Sequence, residues 1–403
     1  MLKLRNTVME YDWGSRVAIA EFLGRPVPSA QPQAELWIGA HAGGPSLVEG
    51  QSDPTSLGDW ISKSPQSRLG RRVCDRFGHR LPFLLKVLAA EVPLSLQAHP
   101  NLEQARAGHA REEALGIPVS SRRRNYKDAN HKPEILCALG PFDALCGFRP
   151  VAATIELFEA LSVAALAPVI DALAGGPRPH GVERAFAWLM NLGPDAATGL
   201  VEEVVAACRR AKSDEGPQAA ALAWAARLAQ LHPSDSGVVA SLMLNHVHLE
   251  AGQALFLPAG TLHSYLGGCG IELMASSDNV LRAGLTTKAV DVSELLVVLD
   301  CRDAAVECVP RRELGTGETV YETSVADFRL SIVELTAGGE FLSDPRGPEL
   351  LLCTSGVARV TGGNGASLEL TRGESLFVAA DEGRYALGGA ATVVRATIGD
   401  DVA

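Results

Sequence analysis

Several familiar signals are missing from the sequence. Its eight cysteines include no C-x-x-C pair. Neither a disulfide framework nor a cysteine zinc finger is therefore indicated, and a reducing cytoplasm is the expected compartment. No run reaches the roughly 18 uncharged apolar residues of a membrane span. The richest stretch, VAATIELFEALSVAALAPVIDALAGG, carries Glu156, Glu159 and Asp171 and reads as a soluble helix. The first residues, MLKLRNTVMEYDWG, hold no apolar core of signal-peptide length. Positive charge is also in deficit: 36 Lys and Arg against 47 Asp and Glu give a net charge of −11. That argues against nucleic acid as a partner. It leaves room for a small anionic substrate, because a local cluster of Arg and Lys overrides the global sign.

What remains is a globular balance, with 47% hydrophobic and 21% charged residues over 403 positions. That length predicts two or three domains. Residues 1–150 mix short β-like runs (AELWIG, LPFLLKVL, EILCAL) with Gly/Pro turns and a few helical patches. Residues 151–236 change character and become rich in Ala, Leu and Glu. Val201, Val204, Val205 and Cys208 fall at i, i+3, i+4 and i+7, one stripe of an amphipathic helix. Three or four helices, separated by GGPRPHG, NLGPD and SDEGPQ, form a helical insert. From 237 the apolar period returns to two, and short strands with Gly-rich turns point to a barrel or sandwich. The expected class is mainly β with an α insert. A discontinuous catalytic unit spans 1–150 and 237–310, the insert 151–236, and a last β unit 311–403.

A weak internal repeat supports this division. Residues 252–263 read GQALFLPAGTLH, a Gly-x5-Pro-x-Gly-x2-His spacing that resembles the second metal motif of the cupin barrels. GESLFVAADEGR, from Gly373, opens the same way but has Arg384 where the first copy has His263. Two cupin-type jelly-roll barrels are therefore expected, the first metal-binding and the second degenerate.

Candidate chemistry sits in three segments. In LSLQAHPN (residues 94–101), Gln97 and His99 are two apart and share one face of a strand. In NYKDANHKPEIL, Glu134 opens an apolar strand after Pro133. His263 is the third. Two imidazoles, a carboxylate and an amide oxygen suit a borderline divalent ion such as zinc. The basic run SRRRNYKDANHK, with Arg122, Arg123, Arg124 and Lys127, is a candidate attractor for an anionic group. Lys288 follows Arg282 by six residues and is another. So is Lys86, which requires an anionic partner if the strand LPFLLKVL is buried. His246 and His248, in LNHVHLE, form an H-x-H pair without the glutamate that usually follows; a solvent-facing strand is expected there. His41 is expected to be structural.

AELWIGAH, SLQAHP, NYKDANHKPE, FDALCGFRP, LPAGTLHSYL and GIELMASSDNVLRAGLTTKAVDV, in that order, resemble the type I phosphomannose isomerases. The resemblance runs from about residue 11 to 300. It implies a zinc-dependent, cupin-based aldose–ketose isomerase of a phosphorylated hexose, with one zinc per chain. It places the ligands on Gln97, His99, Glu134 and His263, with no departure at any of them. It puts a catalytic arginine on Arg282 and lines the pocket with Glu272, Lys132, Tyr265 and Ser95. The reaction so implied moves a proton between C1 and C2 of mannose 6-phosphate through a cis-enediol. Glu272 and Lys132 are equally good candidates for the base, with a zinc-bound hydroxide as a third option, and Lys86 and Lys288 are candidates for holding the phosphate. Rival readings are an isomerase of another phosphorylated aldose and a non-catalytic sugar-phosphate-binding regulator. No Gly-rich phosphate loop is present to suggest a nucleotidyltransferase domain. The expected molecule is a cytoplasmic monomer or weak homo-oligomer that binds no membrane.

Overall fold

The computed structural model describes residues 1–176, 180–211, 217–315 and 317–400. Two antiparallel sheets, of eleven and ten strands, carry the molecule. The ten-stranded sheet is organised on one long strand, His263–Ala275. Its first half pairs with Leu96–Ala98 and Phe142–Phe148, and its second half with Phe83–Ala90 and Glu134–Ala138. The change of partners coincides with a register shift before Gly267 and with Gly268 at φ +125°. A side chain at Gly268 would lie 2.7 Å from Phe142 and from the Pro141 carbonyl, so only glycine fits the bend. Strand Leu281–Gly284 pairs with Leu96–Ala98, and Ala254–Leu257 with Glu134–Ala138.

The eleven-stranded sheet contains most of the last hundred residues, built on Glu349–Gly362 and Tyr385–Thr397. The first strand of the chain, Leu2–Arg5, also lies in it, paired with Ser375–Val378. A shared core joins the two sheets: Leu36, Ile38, Leu85, Val87 and Leu273 pack with Phe328, Leu330, Leu350 and Leu352.

The mainly β class with a helical insert is what the structure has. The expected closed barrels are not: among the described residues no sequence of strand pairs returns to its starting strand in either sheet. Long strands that switch partners half-way build two open, packed layers without hydrogen-bonded closure. The internal repeat is real at the backbone level. Gly252 and Gly373 both adopt positive φ (81° and 87°), each followed by a short strand and a turn into a long strand. The first long strand begins at His263. The second begins at Tyr385, and Arg384 just before it is exposed beside Asp344.

The insert is more divided than the periodicity suggests. The stretch read as one helix from Val151 is broken. Ser162 ends helix Val151–Leu161 in the left-handed region (φ 53°), a short 3-10 turn follows, and Ala167–Ala174 restarts. Further helices are His180–Met190, Pro194–Arg210 and Pro217–Leu231. Parts of the separators GGPRPHG and SDEGPQ lie outside the described residues. Val201, Val204, Val205 and Cys208 are all buried, as their stripe requires. Proline in the first turn and Arg209 and Arg210 in the last suit the helix dipole. The insert's core is continuous with the ten-stranded sheet through Phe148, Leu262, Leu266 and Leu281. It therefore supports the strands that carry the site. No helix among the described residues is long and apolar enough to cross a membrane.

Candidate active site

The sheet register brings the predicted residues together. His263 lies directly opposite Gln97, which in turn lies opposite Arg282. His99 falls one residue past the strand Leu96–Ala98, and Asn101 then caps helix Leu102–Ala114 with a reciprocal Asn101–Gln104 box. Glu134 opens its strand opposite Met274, two residues from Glu272. The turn that delivers His263 depends on Gly260 at φ +83°, where a side chain would sit 3.0 Å from the Val298 carbonyl.

His99, Glu134 and His263 each offer a ligand atom, and these atoms lie within 4.8 Å of one another. All three side chains are buried. His99 Nδ1 is 2.7 Å from the carbonyl of Asn279, and His263 Nδ1 is 2.9 Å from that of Thr261. A carbonyl only accepts, so each Nδ1 donates, and it is Nε2 that carries the lone pair in the neutral ring. Both Nε2 atoms are 3.5 Å from Glu134, one from each carboxylate oxygen. Among the described residues, His99 Nε2 and Glu134 Oε2 are buried without a hydrogen-bond partner, a costly state for polar atoms that a cation would relieve. The Gln97 amide is 3.4 Å from His263 Nε2, and a half-turn presents its oxygen to the same point. This donor set fits zinc.

The electrostatics favour the ligating forms. Burial, with help from the Lys132 charge, pushes the His99 imidazole down to about 4, so it is neutral at physiological pH. Burial alone would raise Glu134. The ammonium of Lys132, 2.7 Å from Oε1, instead holds its carboxyl well below the usual range. Lys132 is thus committed to a ligand.

Lys86 is equally committed. Its Nζ lies 2.8 Å from Glu272 and 3.1 Å from Glu35, whose other oxygen accepts the Trp37 indole N–H at 2.9 Å. The anionic partner demanded by the sequence is present twice. Burial, with the charges of Glu134 and Glu35, raises the Glu272 carboxyl above its ordinary value, against the pull of Lys86. The Tyr265 hydroxyl is buried close to Glu272. Burial and the nearby charge of Glu272 raise it well above its ordinary value, which keeps it a donor.

These groups share a cavity of about 600 Å³, which Ser95, Gln97, Lys132, Glu134, Tyr265, Glu272 and Arg282 line. Lys127 and Lys288 are at its rim, and neither they nor Arg282 is ion-paired among the described residues. Arg282's charge, above all, lowers the Lys288 ammonium, so the two cations feel one another. The rest of the basic run is elsewhere. Arg124 is buried in a clamp with Glu112, Glu113 and the carbonyls of Tyr126 and Ile117. Arg122 and Arg123 are exposed and outside the cavity. His246 and His248 both bond to Asp143 on the neighbouring strand; His246 is largely covered, so only His248 faces solvent. His41 stands on the rim, 3.5 Å from Asp278.

Sequence reasoning missed Glu35, Trp37 and Asn279, and His232, which reaches the cavity from the end of the insert. Asn279 is fully buried. Its side chain ties down the backbone of residues 127, 128 and 130 while its carbonyl orients His99. For Glu35 the alternation in AELWIG, with Glu35 and Trp37 on one face, was the available signal.

Comparison with known proteins agrees with this geometry. Residues 1–151 match the type I phosphomannose isomerase catalytic domain, and 317–398 the cupin domain of mannose-6-phosphate isomerase. A mannose-6-phosphate isomerase of Shigella flexneri is 39% identical over 95% of both chains. A variant of phosphomannose isomerase from Salmonella typhimurium superposes with a TM-score of 0.90 at 35% identity, covering 99% of each chain. A zinc-bound mannose 6-phosphate isomerase superposes at 0.87 with 36% identity, over 98% of this chain and 99% of the other.

Proposed function

The chain belongs to the type I phosphomannose isomerases, and from that premise we propose how its own residues perform the reaction. It isomerises mannose 6-phosphate to fructose 6-phosphate with zinc as cofactor. The observation that carries the reading is the convergence of His99, Glu134 and His263, with His99 Nε2 and Glu134 Oε2 left without partners among the described residues, beside the cavity that Gln97, Glu134, Glu272 and Arg282 line. Gln97, His99, Glu134 and His263 would hold the metal. Because only Glu134 is charged, a bound ion would keep about one positive charge and would supply Lewis-acid stabilisation to the substrate.

Glu272 is the base. It takes the proton from C2 and returns it to C1, while the hydroxyl proton of O2 passes to O1. Lys132 and Lys86 are both paired ammonium groups, and neither is free to accept a proton. A raised carboxyl lining the cavity is matched to that task. The Arg282 guanidinium, half-buried and in no ion pair among the described residues, donates to the oxygen on which negative charge builds. Lys288, with Lys127 beside it, receives the phosphate at the rim, and the Tyr265 hydroxyl donates to the sugar. The site is completed within one chain, so a monomer suffices. All eight cysteines are free, which suits the cytoplasm.

Two variants separate these roles. Arg282→Ala is expected to lower kcat by about 10²–10³-fold with zinc content unchanged. Lys288→Ala is expected to act mainly on KM, with kcat within about twofold. A substrate panel tests specificity: mannose 6-phosphate is turned over, glucose 6-phosphate and unphosphorylated mannose are not. Equal turnover of mannose would remove the phosphate site from the account.

A further inference from the structure

The steps above use one of the two carboxylates that hold Lys86 and leave Glu35 without a task. Its geometry is specific. One oxygen is 3.1 Å from Lys86 Nζ and the other accepts the Trp37 N–H at 2.9 Å, so the carboxylate is fixed from both sides. Trp37, Lys86 and Glu272 form one row across three strands, and Glu35 is two residues from Trp37 on the same face. The side chains of Glu35, Lys86 and Glu272 are at most 8% exposed.

Count the charges in this row. With both carboxylates ionised around one ammonium, the group carries −1. When Glu272 takes the substrate proton it becomes neutral. Without Glu35, the same step would leave a buried ammonium with no partner, a state that proteins avoid.

We propose that Glu35 is a positioning residue: it keeps Lys86 compensated while Glu272 holds a proton, and so allows Glu272 to cycle as a base. The inference rests on the reading of Glu272 as the base. The charged or titratable groups facing Glu272 are Lys86 and Glu35 from two neighbouring strands, Glu134 and Lys132 from a third segment, and Tyr265 from its own strand. Glu35 alone among them is an anion that shares Lys86 without being a metal donor.

The test is the pH dependence of kcat and KM in the zinc-loaded full-length enzyme. In Glu35→Gln, Lys86 pairs with Glu272 alone and holds that carboxylate ionised more firmly. The base is weaker, so kcat at neutral pH falls about tenfold. The acid limb of the profile moves to lower pH, while KM and zinc content stay within about twofold of the parent. In Lys86→Met, two buried carboxylates face each other without a cation, and the acid limb moves to higher pH. Opposite displacements in the two variants are the signature. An acid limb that stays in place in Glu35→Gln overturns the proposal, as does loss of zinc or a rise in KM without a displacement. If Glu35→Gln does not fold, Lys86→Met decides: a limb that is unmoved or moves down overturns it. Glu272→Gln separates the two levels. Parent-like turnover there removes the base reading and the inference with it. An inactive Glu272→Gln beside an immobile limb in Glu35→Gln removes only the inference.

Discussion

Glu134→Ala is expected to lose bound zinc and activity together and to destabilise the fold by about 3–5 kcal/mol. Glu134 is the only charged donor in the set, and each of its oxygens faces one imidazole Nε2. Removing it leaves two neutral imidazoles and an amide, too little for a divalent ion in a buried site. It also strips Lys132 of its partner at 2.7 Å, and an uncompensated buried ammonium is the larger part of the stability loss. Glu134→Gln keeps the volume but not the charge and should show the same zinc loss. Metal analysis and thermal melting of the purified variants check both. Full zinc content in Glu134→Ala would contradict the ligand assignment.

Glu272→Gln is expected to lower kcat by about 10²–10⁴-fold, the range for removal of a general base, with zinc retained. The amide fills the same space, and Lys86 keeps Glu35 as its counter-ion. The parent should show an acid limb above the ordinary carboxylate range. The sign follows from Glu272 itself: burial raises its carboxyl, so it is protonated, and useless as a base, up to a higher pH than a free glutamate. Activity therefore rises with pH through that raised value. The check is a pH–rate profile of the zinc-replete enzyme from about pH 4 to 8. A limb at or below the ordinary glutamate value would point to a different base.

Residues whose spacing in the chain is also their spacing in space were readable from sequence. Gln97 and His99 are separated by one residue and turn to one point, and the Pro–Gly turn before His263 delivers it there. The two copies of the Gly-strand-turn unit repeat in the backbone, with His263 in one and exposed Arg384 in the other. What was not readable depends on pairings between distant segments. Lys86 announced a need for an anion, yet nothing in AELWIG says that Glu35 and Trp37 will be its neighbours across a strand pair. Arg124 stood in a basic run and looked available; Glu112 and Glu113, a dozen residues earlier, enclose it. The apolar periodicity runs through Ser162 without a break, whereas the backbone turns there into the left-handed region. Closure of a barrel, likewise, is a matter of which strand edges meet, and alternating hydrophobicity does not specify it.

The most direct test of the central claim is a coupled assay for fructose 6-phosphate formed from mannose 6-phosphate, run on the purified enzyme before chelation, after it, and after stepwise return of zinc. Activity should vanish on chelation and return in proportion to zinc, reaching its plateau at one ion per chain. Absence of activity in the zinc-replete enzyme, or full activity after the metal has been removed, would contradict the account.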